Sequence, residues 1–156
     1  MASLSDTSAD LEAIKRTFVG KWKLTKTEGQ DEYLKLLGVN FMLRKVAAAA
    51  GSSGTTIDIS VDGEQIRIVN TGPKKTTNKL FKLNIESEDT DPVDNAVTAI
   101  TTFECGRLVT NSKPRDKSKA KETKVSREVT IGANGKEEMI MTVNAESVVM
   151  KRYFVR

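Results

Sequence analysis

Residues 55–70 read TTIDISVDGEQIRIVN, and the fold turns on how they are understood. Two strand-like runs, Thr55–Val61 and Glu64–Asn70, flank Asp62-Gly63. An Asp-Gly pair accepts the positive φ angles of a tight two-residue turn, so the segment reads as a β-hairpin. The same grammar continues toward the C-terminus. Thr76–Leu83 follows, then a polar loop from Glu86 to Asp94 that contains Pro92. Ala96–Phe103 and Arg107–Lys113 are joined at Glu104-Cys105-Gly106, and Thr123–Ile131 and Glu137–Val143 flank Gly132-Ala133-Asn134-Gly135. A last strand is predicted over Ser147–Phe154.

Toward the N-terminus the period changes. Gln30–Leu37 and Phe41–Ala50 have helical spacing, and Gly38 suits a helix C-cap. Before them, Phe18, Gly20, Trp22 and Leu24 share one face of an alternating strand. The pattern is mainly β: about ten strands with hairpin connections and a helix–turn–helix inserted early. An up-and-down antiparallel barrel closes such a meander and removes its exposed edges. Residues 18–156 make that one domain. Residues 1–17 are read as an extension, flexible or a short helix near Ser8–Lys15, with acidic residues ahead of basic ones.

Composition narrows the chemistry. The chain has 156 residues, no histidine and one cysteine. Serine–histidine and cysteine–histidine catalysis and nearly all zinc sites are therefore excluded. No nucleophile–base pair and no metal-ligand spacing is found, so no enzyme and no cofactor is expected. No apolar run reaches the roughly 18 residues of a membrane span, the first residues lack a secretory pattern, and Cys105 cannot form an internal disulfide. A cytoplasmic address follows. The formal charge is +4, but Lys113–Lys124 alone holds six basic and two acidic residues. That run lacks interleaved aromatics and reads as a flexible, solvated insertion, so no nucleic-acid partner is expected.

Two arginines stand out by strand parity. Val125, Arg127, Val129 and Ile131 share a face, as do Val148, Met150, Arg152 and Phe154. Arg127 and Arg152 thus point inward among apolar neighbours. A buried guanidinium costs several kcal/mol unless it is paired or hydrated. Either an anion lies between the two, for which a planar fork suits a carboxylate, or one or both pair with structural acids such as Glu104 or Glu128, or the strand parity is shifted by one residue.

At this point the chain resembles a known family. Phe18-Val19-Gly20-Lys21-Trp22-Lys23-Leu24, Asp31-Glu32-Tyr33-Leu34-Lys35, Leu37-Gly38-Val39, Arg44-Lys45-Val46-Ala47, Val125-Ser126-Arg127-Glu128 and Met150-Lys151-Arg152-Tyr153-Phe154 resemble, in order and spacing, the intracellular lipid-binding proteins. The likeness is to the fatty acid-binding proteins of the heart, adipocyte and myelin group. It implies a ten-stranded, calycin-like barrel with a helical lid, a water-filled cavity and a monomeric carrier of one long-chain fatty acid, the carboxylate held by Arg127 and Arg152. The family's usual third group, a tyrosine, is Phe154 here, so one hydroxyl donor is missing. The resemblance also puts Tyr33, Leu34, Val39, Ala47, Lys74, Met141 and Val143 on the acyl chain or portal. Trp22 reads as a barrel-closing aromatic. Lys35, Arg44 and Lys45 match a lid pattern that serves nuclear import in some relatives. The competing readings of those three are a plain solvated face or a dock for anionic membranes. A retinoic-acid carrier of the same fold, or a membrane-tethering protein with secondary lipid binding, are the alternative functions.

Overall fold

The computed structural model describes residues 4–52 and 54–156, with side chains from residue 7 onward; the part of the expected extension at residues 1–3 lies outside them. Ten strands form one antiparallel sheet: β1 (Gly20–Glu28), β2 (Thr56–Asp62), β3 (Gln65–Thr71), β4 (Thr76–Lys82), β5 (Ser87–Thr90), β6 (Ala96–Glu104), β7 (Arg107–Pro114), β8 (Thr123–Ile131), β9 (Glu137–Ala145) and β10 (Val148–Val155). Three helices accompany them among the described residues: α1 (Leu4–Thr17), α2 (Gln30–Leu36) and α3 (Phe41–Ala50). Sequential strands pair with one another except β4 and β5, β1 and β2 being joined through α2 and α3, and β1 pairs with β10, so the meander curls on itself. It stops short of full closure: β4 and β5 are the two ends of the sheet, with no ladder between them. The hairpin forms, but its turn lies one residue later than expected: Asp62 pairs with Gln65 across Gly63-Glu64, which puts Val61 opposite Ile66 and Ile59 opposite Ile68.

Two expectations are corrected. The polar stretch read as a loop contains β5, whose Ser87–Thr90 pair with Ala96–Ala99. A four-residue strand of Ser-Glu-Asp-Thr carries no apolar alternation, so only its backbone pairing reveals it. The basic run is likewise held against the barrel rather than loose. Arg115 forms an ion pair with Glu88 at 3.0 Å and Lys121 approaches Glu146 at 3.7 Å, while Ala120 is buried.

The N-terminal segment is a fourteen-residue helix. Leu11 and Ile14 lie one turn apart on one face and enter the core beside Phe18, Trp22, Leu24, Ile57 and Ile59. α1 therefore plugs the barrel at the end opposite the lid. Trp22 donates its indole N–H to the Phe18 carbonyl at 2.8 Å, and the Arg156 guanidinium stacks over its ring at 4.3 Å. A buried indole needs such a partner for its N–H.

α2 and α3 lie across the other end. Gly29 opens α2 in the left-handed region, and its α-carbon sits so close to the Val149 carbonyl that a β-carbon would come within 2.3 Å of the oxygen. Asn40 caps α3 by accepting a hydrogen bond from the Leu43 N–H at 3.0 Å. No helix is long and apolar enough to cross a membrane among the described residues.

Candidate functional site

A cavity of about 870 Å³ occupies the barrel between the plugged base and the lid. Its lining mixes apolar groups such as Ile57, Ile68, Phe81, Val97 and Met141 with the two arginines. Strand register explains why the arginines meet. Met141 on β9 stands opposite Arg152 on β10 and also opposite Arg127 on β8. The two guanidinium groups thus rise from the same level of the wall, with their α-carbons two strand spacings, roughly 9–10 Å, apart.

Neither arginine has an acidic partner among the described residues. Glu128 points to the other face and pairs with Arg107 at 3.0 Å. Glu104 accepts a hydrogen bond from the Thr102 hydroxyl. The Nε atoms of Arg127 and Arg152 are both buried without a hydrogen-bond partner. Among the described residues, structural acids therefore do not resolve the pair, and both arginines line the cavity. Burial first, and then the Arg152 charge, lower the Arg127 pKa to about 10. Burial likewise lowers that of Arg152, while Tyr33 pulls it the other way. Both shifts have one physical meaning: two cations are held out of water with no carboxylate among the described residues against them.

The place of the expected tyrosine is filled by Phe154, fully buried in the core, and Tyr153 faces outward under Lys26 at 5.1 Å. The lid brings a different phenol. Tyr33 on α2 is buried against Val143, Ala145 and Met150 and lines the cavity together with Arg152. Met150 is two residues from Arg152 on the same face of β10, so Tyr33 comes down beside that arginine. Burial pushes its hydroxyl up to about 12, with the Asp91 charge adding to the effect and Arg152 opposing it. The hydroxyl is therefore a neutral donor at ordinary pH. Thr27, directly opposite Arg152 on β1, also carries a buried hydroxyl oxygen without a partner.

The remaining expected residues divide. Ala47, Met141 and Lys74 line the cavity, Lys74 at its rim. Leu34 does not. One residue on from Tyr33, it is turned about 100° around the helix and faces a smaller cleft between β1, α2 and α3. Val39 sits in the α2–α3 turn, where its carbonyl accepts from Arg44 at 2.8 Å. Val143 is buried behind Tyr33. Of the three lid cations, Lys35 and Lys45 are exposed, with the Lys45 ammonium 5.0 Å from the Phe41 ring. Arg44 is not free for docking: it bridges α2 and α3 through an ion pair with Asp31 at 3.0 Å.

Sequence reasoning missed a further group. Thr77, Lys79 and Phe81 of β4 share the inward face, opposite Asn70, Ile68 and Ile66 of β3. Lys79 is thus a cation inside the barrel. It bonds Asp89 of β5 at 2.5 Å and the Thr90 carbonyl at 2.9 Å, across the seam that no ladder closes. Phe81 and Leu83 share its parity, a signal that was present in the sequence.

Comparison with known proteins agrees with this construction. The chain is 32% identical over 139 residues to fatty acid-binding protein homolog 5 of Caenorhabditis elegans, covering 89% of this chain and 96% of that protein. It is 36% identical over 140 residues to cellular retinoic acid-binding protein 1 of Gallus gallus, covering 89% and 97%. Among solved structures, apo lipid-binding protein 8 of Caenorhabditis elegans superposes with a TM-score of 0.77 at 24% identity, covering 89% of this chain and 94% of that one, a likeness of fold. Residues 19–152 match the model of the lipocalin / cytosolic fatty-acid binding protein family. The ten-stranded barrel, its helical lid and its relatives agree: the chain belongs to that family.

Proposed function

We propose that this protein is an intracellular, non-enzymatic carrier of a long-chain fatty acid. The carboxylate sits between Arg127 and Arg152, and the acyl chain lies in the cavity under α2 and α3. One observation carries the reading: two inward guanidinium groups face the cavity with no acid among the described residues against them. A bound carboxylate supplies the missing charge, and a bidentate arginine contact is among the stronger polar interactions available. Tyr33 supports it by bringing a neutral phenol next to Arg152 from the lid, in place of the donor that Phe154 lacks. Head-group capture is thereby tied to the closed position of α2. Hydrophobic transfer of the chain, roughly 0.8 kcal/mol per buried CH₂, supplies most of the affinity, and the arginines select an acid over an alcohol, ester or amide. The relatives named as fatty acid-binding and the family's cytosolic description support both the ligand class and the address.

The test is a displacement titration of the Arg127→Gln/Arg152→Gln variant with palmitic acid and with the matching alcohol. Charge-assisted hydrogen bonds contribute about 1.5–3 kcal/mol each, so affinity for the acid is expected to fall roughly a hundredfold or more while the alcohol changes little. Equal losses for acid and alcohol sink the clamp.

A second reading keeps the site and changes the chain: retinoic acid. It is favoured by the avian retinoic acid-binding relative, which matches at 36% identity over as much of the chain. Competition between oleic and retinoic acids for one bound probe decides between the two.

A further inference from the structure

The cavity has a second polar wall, and a carboxylate at the arginines does not use it. It lies at the seam between β4 and β5. Counting strands around the barrel, the seam is three strands from β8 and four from β10, so it faces the arginines from the opposite side. Asn70, Thr77, Lys79 and Asp89 all line the cavity there. Asn70 and Thr77 are cross-strand partners, and Lys79 is the next inward residue along β4.

The hydrogen-bonding state of this wall is uneven. Lys79 and Asp89 satisfy each other, with Asp89 also accepting from the Thr90 N–H at 2.7 Å through the same oxygen, Oδ1. The second Asp89 oxygen accepts no hydrogen bond among the described residues and stays accessible, the side chain being 31% exposed. The Asn70 Oδ1 atom is buried with none either. The Lys79–Asp89 pair closes the seam but leaves the buried Asn70 oxygen unserved. A buried polar group without a partner is disfavoured until a ligand or solvent atom serves it. A lysine, an aspartate and an amide side by side offer both donors and acceptors. A neutral hydroxyl can satisfy either kind, whereas a second carboxylate would meet the Asp89 charge.

We propose that Asn70, Thr77, Lys79 and Asp89 form a second polar subsite that takes a hydroxyl or similar oxygen function on the distal half of a bound acyl chain. The inference rests on the carrier reading above: the arginines fix one end of the ligand, and the seam wall reads the other. The preferred ligand is then an oxygenated fatty acid rather than a plain one.

The experiment is calorimetric titration of delipidated protein with palmitic acid and with its terminally hydroxylated analogue. Three proteins are compared: the unmodified chain, Lys79→Met/Asp89→Leu, and Asn70→Leu. The double variant removes both charges, so neither is stranded, and thermal unfolding confirms that each variant is folded. The unmodified protein is expected to bind the hydroxylated acid at least as tightly as palmitic acid, although a hydroxyl normally disfavours an apolar cavity. The double variant is expected to lose roughly tenfold on the hydroxylated acid alone, and Asn70→Leu to move in the same direction. If the ratio of the two affinities is the same in all three proteins, the wall only sutures the seam and the subsite is overturned, while the carrier reading stands. If neither acid binds the unmodified protein, the carrier reading fails and takes the subsite with it.

Discussion

At the base of the barrel Ile14, Phe18 and Trp22 are completely shielded from solvent, whereas α3 at the other end buries no side chain at all. Phe41, Met42, Leu43 and Val46 of that helix are all more than 40% exposed. The base is packed like an ordinary protein interior. The lid is held by a few specific devices: the Arg44–Asp31 bridge, the Asn40 cap, and Tyr33 set against β9 and β10. The difference teaches where the molecule keeps its stability and where it keeps its freedom. A cavity under the lid deprives α2 and α3 of the neighbours that α1 finds beneath the sheet. Elements with few buried apolar contacts sit at the low-stability end of a fold, so the lid end opens at lower cost than the base.

Substitutions at the two ends sharpen that contrast. The largest effect is expected at the base. Ile14→Ala leaves a hole among Phe18, Trp22 and Ile57 and is expected to cost about 2–5 kcal/mol by denaturant unfolding. A cost below about 0.5 kcal/mol would show that α1 is a loosely attached tail. At the hinge, Gly29→Ala must adopt a positive φ of 75° and push its methyl against the Val149 carbonyl. A loss of about 1–3 kcal/mol is expected, with faster ligand release in stopped-flow because α2 no longer seats fully. Unchanged release would separate the hinge from the site. The smallest effect belongs to α3, where Phe41→Ser is expected to change stability by less than about 0.5 kcal/mol. A larger loss would mean that α3 is supported more firmly than its exposure indicates.

The core of the candidate site was legible from strand parity. Val125, Val129, Met150 and Phe154 are inward by alternation, and they carry Arg127 and Arg152 inward with them. Other parts were hidden for reasons that differ. β5 is too short and too polar for periodicity to register, and its pairing is made by backbone alone. Leu34 and Val39 followed the resemblance onto the cavity, but a step of one residue on a helix, or a place in a turn, sends a side chain elsewhere. Lys79 lies on a strand where both faces are mixed, so its inward direction was outvoted by its charge. The basic run reads as loose from sequence because its partners lie on other segments, Glu88 for Arg115 and Glu146 for Lys121.

By itself the sequence determined the barrel, because hairpin turns and alternation are local and act wherever the chain lies. It also determined that two guanidinium groups point inward, and that no histidine chemistry serves them. Only the tertiary structure decided that those guanidinium groups have no acid beside them among the described residues, since their neighbours come from strands that meet only when the sheet curls. The same closure turned an N-terminal extension into a plug and set Lys79 against Asp89 across the seam. Both depend on which surfaces meet, and adjacency along the chain does not specify that.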